Sequence, residues 1–229
     1  MRALITGASR GIGQQMAALM AQRGDEVIAT YRPSNGRNAT AAGMDLHAGI
    51  TWQALDVTNP TGIQALAHEL NNHPLDLLVC NAGVFLDRDA HLGAGYGANI
   101  WAQSFAVNVA GVFSCVEAFL PLIARADRPR IAIIASNMGA QARAPGGSYA
   151  YRASKAAAIN LGRNLARDLA PRGIAVGIYH PGWVRTDMGG PGADIDAATS
   201  ARDLLARFDA LDMATSGQFT NHNGQPLPL

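Results

Sequence analysis

Charge is scarce in this chain, and what there is cancels. Acidic and basic residues number 17 and 18, only 15% of the sequence, for a formal net charge of +1. Such a balance leaves no electrostatic footprint for nucleic acid or an anionic membrane. Cysteine is rarer still. Cys80 and Cys115 lie far apart, on what read as a buried strand and a buried helix. Two reduced core thiols in a cytoplasmic protein are expected from them, not a disulfide. The six histidines are scattered without ligand spacing, so no metal site is expected. No apolar run approaches the roughly 20 residues that span a bilayer. The N-terminus enters a strand at once, which leaves no room for a signal peptide. With 48% hydrophobic residues in 229, one compact α/β domain over residues 1–229 is the expectation.

The chain is organised around its first 32 residues. Ala3-Leu4-Ile5 reads as a short strand, and Thr6-Gly7-Ala-Ser9-Arg10-Gly11-Ile12-Gly13 follows it directly. A helix over 14–22 carries Met16, Ala17, Leu19 and Met20 at helical spacing. A second apolar strand over 27–30 closes a βαβ unit. Glycine lets the backbone approach a diphosphate, and a helix N-terminus offers that anion free N–H groups and positive dipole. The strand before and the helix after supply the context such a pattern needs.

The remaining strands are expected at 50–57, 75–80, 130–135 and 174–179, with a short last one at 217–220. Between them come helices at 58–72, capped by Thr58, at 100–124, at 149–169 and at 197–211. A further short helix is expected near 39–46. This alternation implies a doubly wound parallel sheet of six to seven strands with helices on both faces. Right-handed crossovers put all strand C-termini on one edge. The segment 7–13, Asp56, Asn81, Ser136 and Pro181 all follow strand ends, so they should converge on one crevice.

Tyr151-Arg-Ala-Ser-Lys155 is the sharpest catalytic signal. Residues four apart share a helix face. An ordinary tyrosine has a pKa of about 10. A neighbouring ammonium stabilises the phenolate and lowers that value, which makes a usable proton donor for a carbonyl receiving a hydride. Tyr149 is a rival without a cation four residues on. Ser136 could orient a substrate oxygen; its bland reading is a turn serine. Asn108 interrupts an apolar helix and needs a buried partner. It is either a satisfied core asparagine or a site residue that holds a water near Lys155.

Seven motifs now stand in order: the segment 6–13, Asp56-Val57, Asn81-Ala82-Gly83, Asn108, Ser136, Tyr151-x-x-x-Lys155 and Pro181-Gly182. In this order the whole chain resembles the short-chain dehydrogenases/reductases, of Rossmann fold. The stretches 180–190 and 216–225 resemble the C-factor and sniffer-type carbonyl reductases within them. The resemblance implies Tyr151 as acid/base. Lys155 would tune Tyr151 and hold the nicotinamide ribose, Ser136 would bind the carbonyl oxygen, and Asn108 would anchor a relay water. It implies Asp56 and Val57 at the adenine and Asn81, Ala82 and Gly83 on its ribose side. Pro181, Gly182, Val184 and Thr186 would line the nicotinamide. Two departures stand out. Cys80 replaces a common second asparagine, and the Ser136–Tyr151 separation is longer than usual, so that loop should bulge outward.

NAD binders carry a carboxylate about 20 residues past the glycines. Here Tyr31 and Arg32 occupy that place. Asp25 and Glu26 precede the strand and should point away. Arg10 and Arg32 suit a 2′-phosphate, so NADP(H) is expected to be preferred, with NAD(H) possible. The expected activity is reversible reduction of a ketone or aldehyde to an alcohol. A 3-ketoacyl carrier-protein reductase and a non-catalytic dinucleotide-binding signalling protein are the alternatives. Substrate identity is expected to lie in loops 85–99, 139–148 and about 183–198, with Phe85, Met138, Trp183 and Met188 as apolar walls. Arg143 or Arg185 would add an anion site only by turning inward. The helices at 100–124 and 149–169 carry extra apolar positions, compatible with a homo-oligomer.

Overall fold

The computed structural model describes residues 1–33, 49–93 and 96–229. The helix expected near 39–46 lies outside them. Seven strands make the main sheet: β1 (Arg2–Ile5), β2 (Glu26–Tyr31), β3 (Ile50–Ala54), β4 (Leu77–Cys80), β5 (Arg130–Ile134), β6 (Ala175–His180) and β9 (Phe219–Asn221). Their order is β3-β2-β1-β4-β5-β6-β9, and every neighbouring pair is parallel. A separate two-stranded ribbon joins β7 (Val184–Arg185) to β8 (Ile195–Asp196).

Alternation along the strands explains the two layers. Leu4, Ile28, Leu78 and Ile131 face one side, where Ile63 and Leu66 of α2 (Pro60–Glu69) and Val112 and Phe119 of α4 (Gly111–Ile123) meet them. Leu165 and Leu169 of α5 (Tyr149–Leu169) complete that layer. Ala3, Ile5, Val27 and Val79 face the other side, against Met16 and Met20 of α1 (Gly11–Gln22) and Leu204 and Phe208 of α6 (Ala197–Ala210). A sheet covered on both faces needs near-continuous apolar strands: β4 is wholly apolar, and β5 is so after Arg130 at its first position. The strand order reverses between β1 and β4, and ligand crevices form at such a switch point.

Three expectations need correction. The helix expected from Thr58 begins at Pro60, capped by Asn59, whose side chain accepts from Gly62 N at 3.2 Å. Thr58 instead binds Asp56. Pro60 has no N–H to satisfy, which suits the first helical position. The long helix over 100–124 is not continuous. It is α3 (Ala98–Phe105), a π turn over Ala106–Ala110, then α4. Taken as one, Ala98–Ile123 is long and apolar enough by length and composition to cross a bilayer, contrary to the expectation that no run reached that size. Half of its most apolar stretch is buried inside the molecule, so Val112, Val116 and Phe119 owe their character to the core.

Candidate active site

The C-terminal ends of the strands open onto a crevice of about 550 Å³. Gly7, Ser9, Arg10, Gly11, Ile12, Gly13, Arg32, Asp56, Val57, Asn81, Ala82, Gly83, Tyr151, Lys155, Pro181 and Thr186 all line it. Tyr31, Asn108, Ser136, Gly182 and Val184, also expected at the site, are not part of that lining. Leu55, Val84, Ile134, Arg185, Asp187 and Met188 join it, though only Arg185 and Met188 were singled out from sequence, for the substrate rather than the cofactor.

The glycine loop is held by close approach. A Cβ on Gly13 would stand 2.5 Å from Asn81 Nδ2 and 2.8 Å from the Gly7 carbonyl oxygen. Asn81 Nδ2 donates to the carbonyls of Thr6 and Gly7 at 2.9 and 3.0 Å. Thr6 Oγ1 in turn accepts from the N–H groups of Asn81 and Ala82, both at 3.0 Å. The Asn81 amide thus braces the loop. Arg10 reaches across the crevice mouth to an ion pair with Asp187.

The opposite wall is α5. Tyr151 and Lys155 are buried and one helical turn apart. Lys155 Nζ donates to the Ile134 carbonyl at 2.9 Å and lies 5.8 Å from the centre of the Tyr151 ring. Burial pushes the Lys155 ammonium down to about 8. It pushes the Tyr151 phenol up to about 12, against the downward pull of the Ser136 hydroxyl and of Arg88. The expectation from sequence was a phenol lowered by its lysine; here burial of the ring sets the direction, and the downward pull comes from Ser136 and Arg88.

Ser136 is buried two residues past β5, near enough to the Tyr151 phenol for its hydroxyl to lower the phenol's pKa, despite the long intervening loop. Its Oγ also accepts from Met138 N at 3.1 Å. The extra residues leave through a 3₁₀ turn at Asn137–Gly139 and through Gly146, Gly147 and Ser148, all with positive φ. Gly139 is needed there, since a Cβ would meet the α5 backbone at Lys155 C, 2.5 Å away.

Asn108 sits in the π turn with its amide fully used. Oδ1 accepts from Val84 N at 2.9 Å, while Nδ2 donates to Val84 O and to Ser154 Oγ, each at 2.9 Å. Ser154 Oγ donates onward to the Tyr151 carbonyl at 2.8 Å. These bonds match the satisfied-core alternative. π turns often mark functional sites, and this one brings Asn108 between the Gly83 loop and α5.

Sequence reasoning missed Asp87. It is buried, and its carboxylate accepts from the backbone N–H groups of Ala150 and Tyr151. Nothing in its local sequence distinguishes it from a loop aspartate. Phe85, expected as a pocket wall, stacks on Tyr151 with ring centroids 4.2 Å apart and 19° between planes. Arg185 turns to its own loop and donates to the carbonyls of Ala193 and Asp194.

The short chain dehydrogenase family matches residues 1–194. The chain belongs to that family. As a short-chain dehydrogenase it has an oxidoreductase fold and enzyme class, as its sequence motifs indicated. It is 36% identical over 170 residues to the C-signal protein of Myxococcus xanthus, covering 72% of this chain and 99% of that one. It is 35% identical over 188 residues to the 3-oxoacyl-[acyl-carrier-protein] reductase of Escherichia coli, covering 81% of this chain and 74% of that one. An NADPH-bound carbonyl reductase from chicken fatty liver superposes with a TM-score of 0.90 at 27% identity, covering 100% of this chain and 98% of that structure. The dehydrogenase therefore binds a nicotinamide dinucleotide and acts on small molecules.

Proposed function

We propose that this dehydrogenase is a cytoplasmic, NADP(H)-dependent reductase that converts a ketone or aldehyde reversibly to an alcohol. The observation that carries this reading is the buried Tyr151 phenol, set beside Ser136 on one wall of a crevice whose other wall is the glycine loop. The residues fit the cofactor. Side chains at Gly7 and Gly13 would fill the space against Asn81 and Ala82, and the N-terminus of α1 opens on the crevice. When bound, the cofactor supplies or accepts a hydride.

Tyr151 holds the proton given to the carbonyl oxygen. Burial keeps the phenol protonated at neutral pH, so the proton is there to give, while the Ser136 hydroxyl and Arg88 pull its acidity back towards what a proton donor needs. Ser136 orients that oxygen. Lys155, which lines the crevice, would hold the ribose hydroxyls of the bound cofactor. Asn108 holds Val84 and Ser154, and through them the Tyr151 turn, in register. Arg32 and Arg10, both on the crevice, would hold the extra phosphate of the phosphorylated cofactor. Asp25 is engaged with the N-terminal ammonium at 2.9 Å and Glu26 with Arg2 at 2.8 Å, at the far end of β2. Residues 183–198 form the substrate loop, with Met188 on the crevice.

Tyr151→Phe tests the reading. It should lower carbonyl reduction by roughly 10²–10⁴-fold while NADPH affinity stays unchanged. Retained reduction in that variant defeats the proposal. The similarity to a carrier-protein reductase favours one second reading, a ketoacyl thioester as substrate. Parallel assays with a ketoacyl carrier-protein thioester and with free ketones decide between them. Exposed Trp101 and Phe113 on α3 and α4 support a homo-oligomer, which sedimentation at micromolar concentration tests.

A further inference from the structure

Helix α5 is not capped by its own neighbours. Ser148, at its N-cap, has φ 48 and ψ 44 and makes no side-chain bond to the helix. The cap arrives from 63 residues away. Asp87 is fully buried, and its Oδ2 accepts from Ala150 N at 2.8 Å. The Tyr151 N–H points between both oxygens, at 3.2 and 3.4 Å. A carboxylate in that place satisfies free helical N–H groups and meets the positive end of a 21-residue helix.

The same short loop grips Tyr151 twice more. Phe85 stacks on its ring. Val84 is locked to Asn108 by two bonds, and Asn108 connects through Ser154 to the Tyr151 carbonyl. The tyrosine is therefore fixed at its ring, its N–H and its carbonyl by residues 84–87 and their partner Asn108.

We propose that Asp87 is the positioning residue of Tyr151: it fixes the first turn of α5 from outside the helix, so that the phenol stays aimed into the crevice beside Ser136. This rests on the reading of Tyr151 as proton donor. The charged groups that face the phenol are Asp87 itself, Arg88 across Phe85, and Lys155 on the next turn. Asp87 acts upward on the phenol and Arg88 downward. Removal of the Asp87 charge should therefore move Tyr151 to lower pH; loosened packing would do the same by hydrating the ring, so confinement of faster amide exchange to Ala150 and Tyr151 separates the two.

The test is Asp87→Asn, which keeps the volume and loses the charge. In the full chain, NADPH affinity should be unchanged. The kcat for carbonyl reduction should fall roughly ten- to a hundredfold, with KM little altered. With ¹³C-labelled tyrosine, the Tyr151 resonance, assigned by its loss in Tyr151→Phe, should titrate at lower pH than in the parent. Hydrogen exchange should speed up at Ala150 and Tyr151 and stay unchanged beyond Ala158. Unchanged kcat, titration and exchange overturn the proposal. So does a loss spread evenly over cofactor affinity and the whole helix. Should Asp87→Asn fail to fold, exchange in the parent decides: amides of Ala150 and Tyr151 as slow as those of mid-helix support the cap, and loop-like rates refute it. The titration and exchange need no turnover, so a parent that reduces no carbonyl sinks the reductase reading and leaves the test of Asp87 intact.

Discussion

The two walls of the crevice are made of different material. On the glycine-loop wall the working surface is backbone, and the supports are a few residues just past β1 and β4 and in the first turn of α1: Thr6, Gly7, Gly13 and Asn81. On the α5 wall the working surface is side chains, Tyr151, Lys155 and Ser136. Their supports come from the 84–87 loop, the π turn and β5. The first wall fails when atoms are added. The second fails when partners are removed.

Asn108→Leu should show the largest effect, because it removes partners on the second wall. It leaves the part-buried Val84 N–H and C=O without their partner and removes one of the two bonds of Ser154 Oγ, which keeps its donation to the Tyr151 carbonyl. Unsatisfied buried groups cost about 1–3 kcal/mol each, so a loss of about 4 kcal/mol is expected, read by urea unfolding. A variant as stable as the parent would show that these bonds carry little.

Lys155→Met sharpens the contrast through pH. The folded Lys155 is lowered from 10.5 to about 8 by burial. Between those values the unfolded chain binds more protons than the folded one, so the parent gains stability as pH rises through that window. Below pH 8 it carries the whole cost of a buried ammonium. Without cofactor, Lys155→Met should be more stable than the parent at pH 7 by up to about 3 kcal/mol, less what the Ile134 carbonyl loses. The two proteins should converge towards pH 10.5. Thermal unfolding across that range checks it, and a constant difference would refute the assignment.

Gly13→Ala addresses the first wall. Its methyl would press on the Gly7 carbonyl and on Asn81. Overpacking of this kind costs about 1–3 kcal/mol, so about 2 kcal/mol of stability should go, and dinucleotide binding with it. Tyr151→Phe should leave both untouched. A Gly13→Ala protein that binds NADPH normally would mean the loop can shift outward.

This difference also explains what could be read in advance. The glycine loop is contiguous in sequence, so Gly7, Gly11 and Gly13 reveal it between a strand and a helix. Tyr151 and Lys155 share one helical turn, and their spacing suffices. The parallel, doubly wound sheet follows from alternation of apolar strands and helices. Asp87 was invisible because its partners lie 63 and 64 residues away and a lone loop aspartate carries no pattern. The π turn was invisible because it depends on what Asn108 meets, not on helix propensity. The phenol's direction of shift was misjudged for a related reason. Sequence shows the neighbouring lysine but not the depth of burial, nor that Ile134 holds the ammonium.

The smallest effect expected is at Arg32, where the two walls share a ligand. Arg32 lines the crevice beyond the end of β2, where Tyr31 and Arg32 stand in place of a carboxylate. A guanidinium–phosphate contact at an exposed site is worth about 1.4 kcal/mol, or tenfold in affinity. Arg32→Ala should weaken NADP(H) by about that factor and leave NAD(H) unchanged, as read by fluorescence titration. Arg10→Ala should weaken it less, because in the parent Arg10 must first release Asp187. An equal loss for both cofactors would mean that Arg32 shapes the loop rather than reads the phosphate. The preference for NADP(H) would then have to come from Arg10 alone.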